Sequence, residues 1–164
     1  MTVTVTGHRP DKLNNEWNGQ GIWSTKIKIY LTKLLLQYKA TNLITGMALG
    51  FDQLAAEVAI DQNLPFTAAL PCRNQDFKWP QSQKERYWAI LNNPLCTVHH
   101  VGNQYTNTCM QLRNMWMVNK ADLVIGCFNG SSGGTKNCLD YAYQQRKEII
   151  TFNPSTVVNI IHRV

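Results

Sequence analysis

The run ADLVIGCFNGSSGGT, residues 121–135, decides how this chain is read. Its first half is apolar and ends at Phe128, the composition of a strand buried on both faces. Its second half is small and polar, GSSGGT over residues 130–135, and the stretch that follows, 136–146, reads as a helix. A strand, a Gly/Ser turn and a helix start, in that order, build a phosphate cradle. Unpaired N–H groups at the helix N-terminus point at the ligand, and the helix dipole favours an anion there. Gly133 and Gly134 let the backbone approach closely, and Ser131, Ser132 and Thr135 add hydroxyls. The same segment also suits a plain flexible surface turn.

Outward from this run the chain alternates strands and helices. Strands are expected at residues 2–6, 42–45, 66–70, 96–101, 123–128 and 148–152, and helices at 23–38, 51–62, 81–92, 106–120, 136–146 and 155–161. Residues 11–21 are polar and rich in Gly and Asn, a loop able to fold over a site. Alternation of this kind predicts an α/β, Rossmann-like open sheet, mostly parallel, with helices on both faces. It also places every strand-to-helix turn on one edge of the sheet, where open α/β folds take their ligands. With 164 residues and no linker, repeat or low-complexity segment, a single domain over residues 1–164 is expected.

Composition narrows the classes. No apolar run reaches the ~20 residues that span a bilayer, so no membrane partner is expected. The N-terminus MTVTVTGHRP shows no signal-peptide pattern. Cys72, Cys96, Cys109, Cys127 and Cys138 are odd in number and widely spaced, which points to reduced thiols and a cytoplasmic protein. His99 and His100 are adjacent on a strand and so face opposite ways; no metal site is expected, and no cofactor. No G-x-S-x-G elbow marks a covalent hydrolase. The net charge of +6 suits phosphate-bearing partners, but the lysines and arginines are scattered rather than striped.

Three further turns offer chemistry. After the first strand stand Gly7, His8 and Arg9; Arg9 carries a planar fork for phosphate and His8 titrates near neutrality. After the second, Gly46 and Gly50 lead into a helix with Asp52 in its first turn, a cap or a partner for a ribose hydroxyl. After the third, Arg73 and Lys78 lie beside Phe77 and Trp79; Trp79 either stacks on a base or covers the core edge. Arg113, on the helix before the cradle, reaches the phosphate edge or sits at the surface, while Met115, Trp116 and Met117 serve core or interface.

Taken together, TGHRP, ITGMALGFDQLAAEVA, LPCR and RNMWMVNKADLVIGCFNGSSGGT resemble the SLOG superfamily. It groups the Lonely-guy phosphoribohydrolases, DNA-processing protein A and YpsA-like proteins, and the likeness is nearest to the YpsA-like branch. The resemblance implies a nucleotide-binding Rossmann-like domain, a homo-oligomer, and a role in nucleotide signalling of the kind met in phage–host conflict. Lonely-guy enzymes carry G-G-x-G-T-x-x-E, whose Glu is catalytic, and an upstream Arg. Here Thr135 matches and Arg113 takes the place of that Arg, but Cys138 stands where the Glu would be. A neutral thiol neither stabilises an oxocarbenium ion nor activates water well. The expected activity is therefore binding of a nucleotide or nucleotide-derived signal by Gly7, His8, Arg9, Gly46, Asp52, Arg73, Trp79, Arg113, Ser132, Gly133, Gly134 and Thr135. The alternatives are an N-glycosidase using Arg113 and Asp52, and single-stranded nucleic-acid binding.

Overall fold

The computed structural model describes residues 1–157 and 159–162. Seven strands form one sheet: β1 (Thr2–Gly7), β2 (Asn42–Thr45), β3 (Phe66–Leu70), β4 (Cys96–His100), β5 (Leu123–Cys127), β6 (Glu148–Phe152) and β7 (Asn159–His162), in the order β4-β3-β2-β1-β5-β6-β7. The first six are parallel, and β7 runs antiparallel to β6. The helices are α1 (Ile22–Gln37), α2 (Phe51–Asp61), α3 (Gln81–Leu91), α4 (Cys109–Lys120) and α5 (Gly134–Gln144).

Alternation along the strands divides the core between two faces. Val3, Val5, Leu123 and Ile125 point to one side, where Ile27, Leu31 and Leu35 of α1, Leu54 of α2 and Tyr87 of α3 cover them. Val124 and Ile149 point to the other, under Val118 of α4 and Cys138, Leu139 and Ala142 of α5. The fold is α/β and Rossmann-like, as the alternation of elements implies.

One element differs from expectation. The described residues of 155–161 form no helix; the chain turns at 154–156, and Asn159–His162 form β7. The side-chain oxygen of Asn153 accepts hydrogen bonds from the Ser155 N–H (2.9 Å) and hydroxyl (2.8 Å), so the cap-like Asn-Pro-Ser closes a turn. The β-branched residues beyond it then pair with β6, Ile150 opposite Ile161.

Order and direction fix where the sheet reverses. From β1 the chain crosses through α1 to β2 on one side, and from β5 through α5 to β6 on the other. β1 and β5 lie side by side, with Gly7 opposite Cys127. Their C-terminal ends therefore open the crevice that doubly wound sheets use for ligands.

Candidate functional site

A cleft of about 390 Å³ opens at that switch point. Its walls come from the end of β1, the loops after β1, β2 and β5, and the N-terminal turns of α2, α4 and α5. Of the expected residues, Gly7, His8, Arg9, Asp52, Arg113, Ser132, Gly133, Gly134 and Thr135 line it; Lys12, Met110 and Asn114 join them.

The α5 side is built for an anion. Gly133 precedes the helix at φ +138°, a backbone state that favours glycine, and no side chain caps the first N–H groups. A Cβ at Gly133 or Gly134 would meet nothing within 4 Å. The turn itself is braced from within and from across the cleft. Asn129 Oδ1 accepts from the Ser131 N–H (3.0 Å), and the Lys12 ammonium donates to Ser131 Oγ (2.8 Å). Lys12 is half-buried and is held there by a 3-10 turn, Pro10–Lys12. Beyond it, Glu16 accepts from the Trp23 (3.0 Å) and Ser24 (2.6 Å) N–H groups and thereby caps α1.

His8 joins the two strand ends. The Asn129 N–H donates to its Nε2 at 3.0 Å, so that nitrogen is unprotonated and the proton of the neutral ring sits on Nδ1. Burial, and then the Lys12 charge, lower the pKa of His8 and keep the ring neutral.

Beneath these loops lie two buried ionisable groups, Asp52 (6% exposed) and Arg113 (5% exposed). Arg113 donates from Nη1 to the Gly46 carbonyl and from Nε to Asn114 Oδ1 (2.9 Å). Gly46 thus stands outside the cleft but is shaped by it, since a Cβ there would be driven into the guanidinium. Asp52 accepts from the Ala48 N–H at 3.3 Å, capping its own loop rather than the amides of its helix. Burial pushes its carboxyl up to about 6, against the opposing pull of Arg113, the Ala48 N–H and Arg9.

Besides Gly46, two expected residues lie outside the cleft. Arg73 is exposed on the loop after β3, and Trp79 packs edge-on against Tyr87 at 5.1 Å, on the flank of the core. Neither lines the cleft. Cys138 is fully buried between α5 and the sheet, and burial pushes its thiol up to about 11. Glu57 is paired with Lys28 (2.6 Å) and Arg86 (2.7 Å), away from the cleft. Asp52 is thus the buried carboxyl at this edge. Lys12 had no signal in the sequence beyond its place in the loop after the first strand.

The YspA SLOG family matches residues 3–159, nearly the whole length. The chain belongs to that family. A protein of similar sequence is the SPbeta prophage-derived protein YoqJ of Bacillus subtilis (strain 168), 28% identical over 133 residues, which cover 71% of this chain and 78% of that protein. Among solved structures, DNA processing protein A superposes with a TM-score of 0.64 in two species. The Streptococcus pneumoniae protein is 16% identical, and the Helicobacter pylori protein, described for its single-stranded DNA binding mode, is 20% identical. The match covers 92% of this chain but only 49% and 64% of those two chains. A molybdenum cofactor binding protein from Rippkaea orientalis superposes at 0.57, with 20% identity over 93% of this chain and 76% of its own. These likenesses establish the fold that the family shares. Among the described residues no helix is long and apolar enough to cross a membrane.

Proposed function

We propose that the cleft binds a nucleotide or nucleotide-derived signalling molecule by its phosphate and retains it without cleavage. The observation that carries this reading is the open, uncapped N-terminus of α5, facing the same cleft as Arg9, Lys12 and the buried Arg113. Helix amides and guanidinium or ammonium groups together recognise phosphate oxygens. Asp52 lies in that cleft at the start of α2, as a partner for a ribose hydroxyl. Retention rather than turnover follows from α5, which brings a buried thiol, not a carboxylate, to position 138. A sensor, carrier or sequestering protein needs no more.

Calorimetry against AMP, ADP-ribose, NAD and cyclic dinucleotides tests it. Saturable binding that is lost in Arg9→Ala is expected; heat-silent titrations with all four would sink the reading. An oligodeoxynucleotide belongs in the same series, because DNA offers the same phosphate chemistry. Binding of DNA alone, with steep salt dependence, would move the assignment to nucleic acid.

One observation favours a second reading, an N-glycosidase. A carboxyl held near 6 by burial is suited to proton transfer around neutral pH. In that case AMP incubated with the protein releases free adenine on chromatography, and Asp52→Asn abolishes the release while AMP still binds.

A further inference from the structure

Behind the cleft, two buried cysteines from distant parts of the chain meet. Cys109 is the first residue of α4, one turn before Arg113, and Cys72 follows Pro71 in the bend after β3. The fold itself brings them level. Arg113 Nη1 lies 3.5 Å from the Ala69 carbonyl of β3. The helix runs back antiparallel to the strand, so the four residues from Arg113 to Cys109 climb about 6 Å, or about two strand residues past Ala69. That height is the Pro71–Cys72 bend; Pro71 and Cys109 line one pocket, and the two thiols are close enough for each to act on the other's ionisation. Both are nearly sealed from water, Cys72 at 1% and Cys109 at 4% exposure. A separate pocket of about 380 Å³, lined by Pro71, Asn103, Cys109 and Leu112, nevertheless leads a small reagent to the Cys109 side.

We propose that Cys72 and Cys109 form a modification site: a dithiol that hydrogen peroxide, or a peroxide of similar size, converts to an intramolecular disulfide. The bond latches the first turn of α4 to the bend after β3. Cys109, which lines the pocket, reacts first. Its thiolate attacks one peroxide oxygen, the O–O bond breaks, and hydroxide leaves a sulfenic acid. The Cys72 thiolate then attacks that sulfur, the S–O bond breaks and a second hydroxide departs. The two thiol protons turn both hydroxides into water, so two thiols and one peroxide yield one disulfide and two waters. The remaining cysteines are placed differently. Cys127 and Cys138 are buried in the sheet and its interface with α5, and Cys96 lies on β4. The turn that would be latched carries Met110 and leads to Arg113, both in the wall of the cleft, so the oxidation state is registered at the edge where the ligand is placed.

The test uses the whole reduced protein with a small excess of hydrogen peroxide. Intact mass should fall by about 2 Da, two of the five thiols should be lost on titration in denaturant, and a non-reduced digest should contain a peptide joining Cys72 to Cys109. Dithiothreitol should restore the starting mass. In Cys72→Ala the sulfenic acid on Cys109 has no partner, and dimedone should trap it. Five thiols remaining after treatment, a bridge between other cysteines, or the same mass loss in Cys72→Ala would overturn the proposal. Should that variant fail to fold, the joined peptide from the unmodified chain decides alone.

Discussion

Two of the helices that begin at the ligand edge of this sheet, α2 and α5, are each entered through a glycine at positive φ: Gly50 at +98° and Gly133 at +138°. Their surroundings are opposite. The first N–H of α2, at Phe51, donates to the His8 carbonyl at 3.1 Å, and a Cβ on Gly50 would stand 2.5 Å from that oxygen. The α2 terminus is thus stoppered by the turn after β1. The α5 terminus faces open space. A helix N-terminus is an anion site only when the protein's own chain leaves it vacant, and here one of two similar openings has been filled to hold up the other. The Phe51 ring against Gly7 completes that support.

Substitutions that treat the two termini alike should separate them, and the largest effect is expected at the stoppered one. Gly50→Ala combines a strained backbone with a clash against main-chain atoms that cannot swing aside. It should cost about 3 kcal/mol of stability in urea unfolding. An unchanged midpoint would mean that the contact between the two turns is loose.

The next effect belongs to the carboxyl beside that stopper. Asp52 titrates at about 6 in the fold against 3.8 as a free side chain. The folded state therefore holds a proton that the unfolded chain has already released, and stability falls as pH rises from about 4 to about 6. Between pH 4.5 and 7.5 the loss amounts to about 2 kcal/mol from this group. Asp52→Asn removes that slope, so the variant should gain on the parent by this amount at pH 7.5 relative to pH 4.5. Parallel pH profiles for the two proteins would contradict the dominance of burial over the Arg113 and Ala48 contacts at this carboxyl.

Smaller effects are expected on the open side. Lys12→Ala removes an ammonium that braces the α5 turn and faces the cleft; AMP affinity should fall about threefold to tenfold and lose part of its salt dependence. Gly134→Ala sharpens the contrast most. The residue is helical and its added methyl meets nothing, so stability should change by less than about 0.5 kcal/mol. Ligand affinity should still drop, because the methyl occupies the approach of the phosphate. A variant that unfolds instead would show that both termini are packed.

The architecture was legible because strand runs such as LVIGC and FTAAL are short, apolar and punctuated by glycine or proline. The last element was misread because Asn153-Pro154-Ser155 resembles a helix start, although the β-branched residues after it favour a strand. At the edge, Arg113 and Asp52 were readable from their positions near helix starts. What composition could not tell was which glycine turn stays open, since that depends on the distant His8 carbonyl meeting the α2 terminus at Phe51. Lys12 was hidden for a related reason. It sits in a polar run without periodicity, and only the turn at Pro10–Lys12 aims it across the crevice.

The bond from the Asn129 amide to His8 carries one more consequence. Asn129 is exposed, on a turn where amide protons ordinarily trade with solvent at once. Here that proton is clasped by an imidazole lone pair, so it should exchange slowly, as though it belonged to the sheet. Acid reverses this: once the ring takes up a second proton the lone pair is gone, the clasp opens, and the two strand ends are free to part.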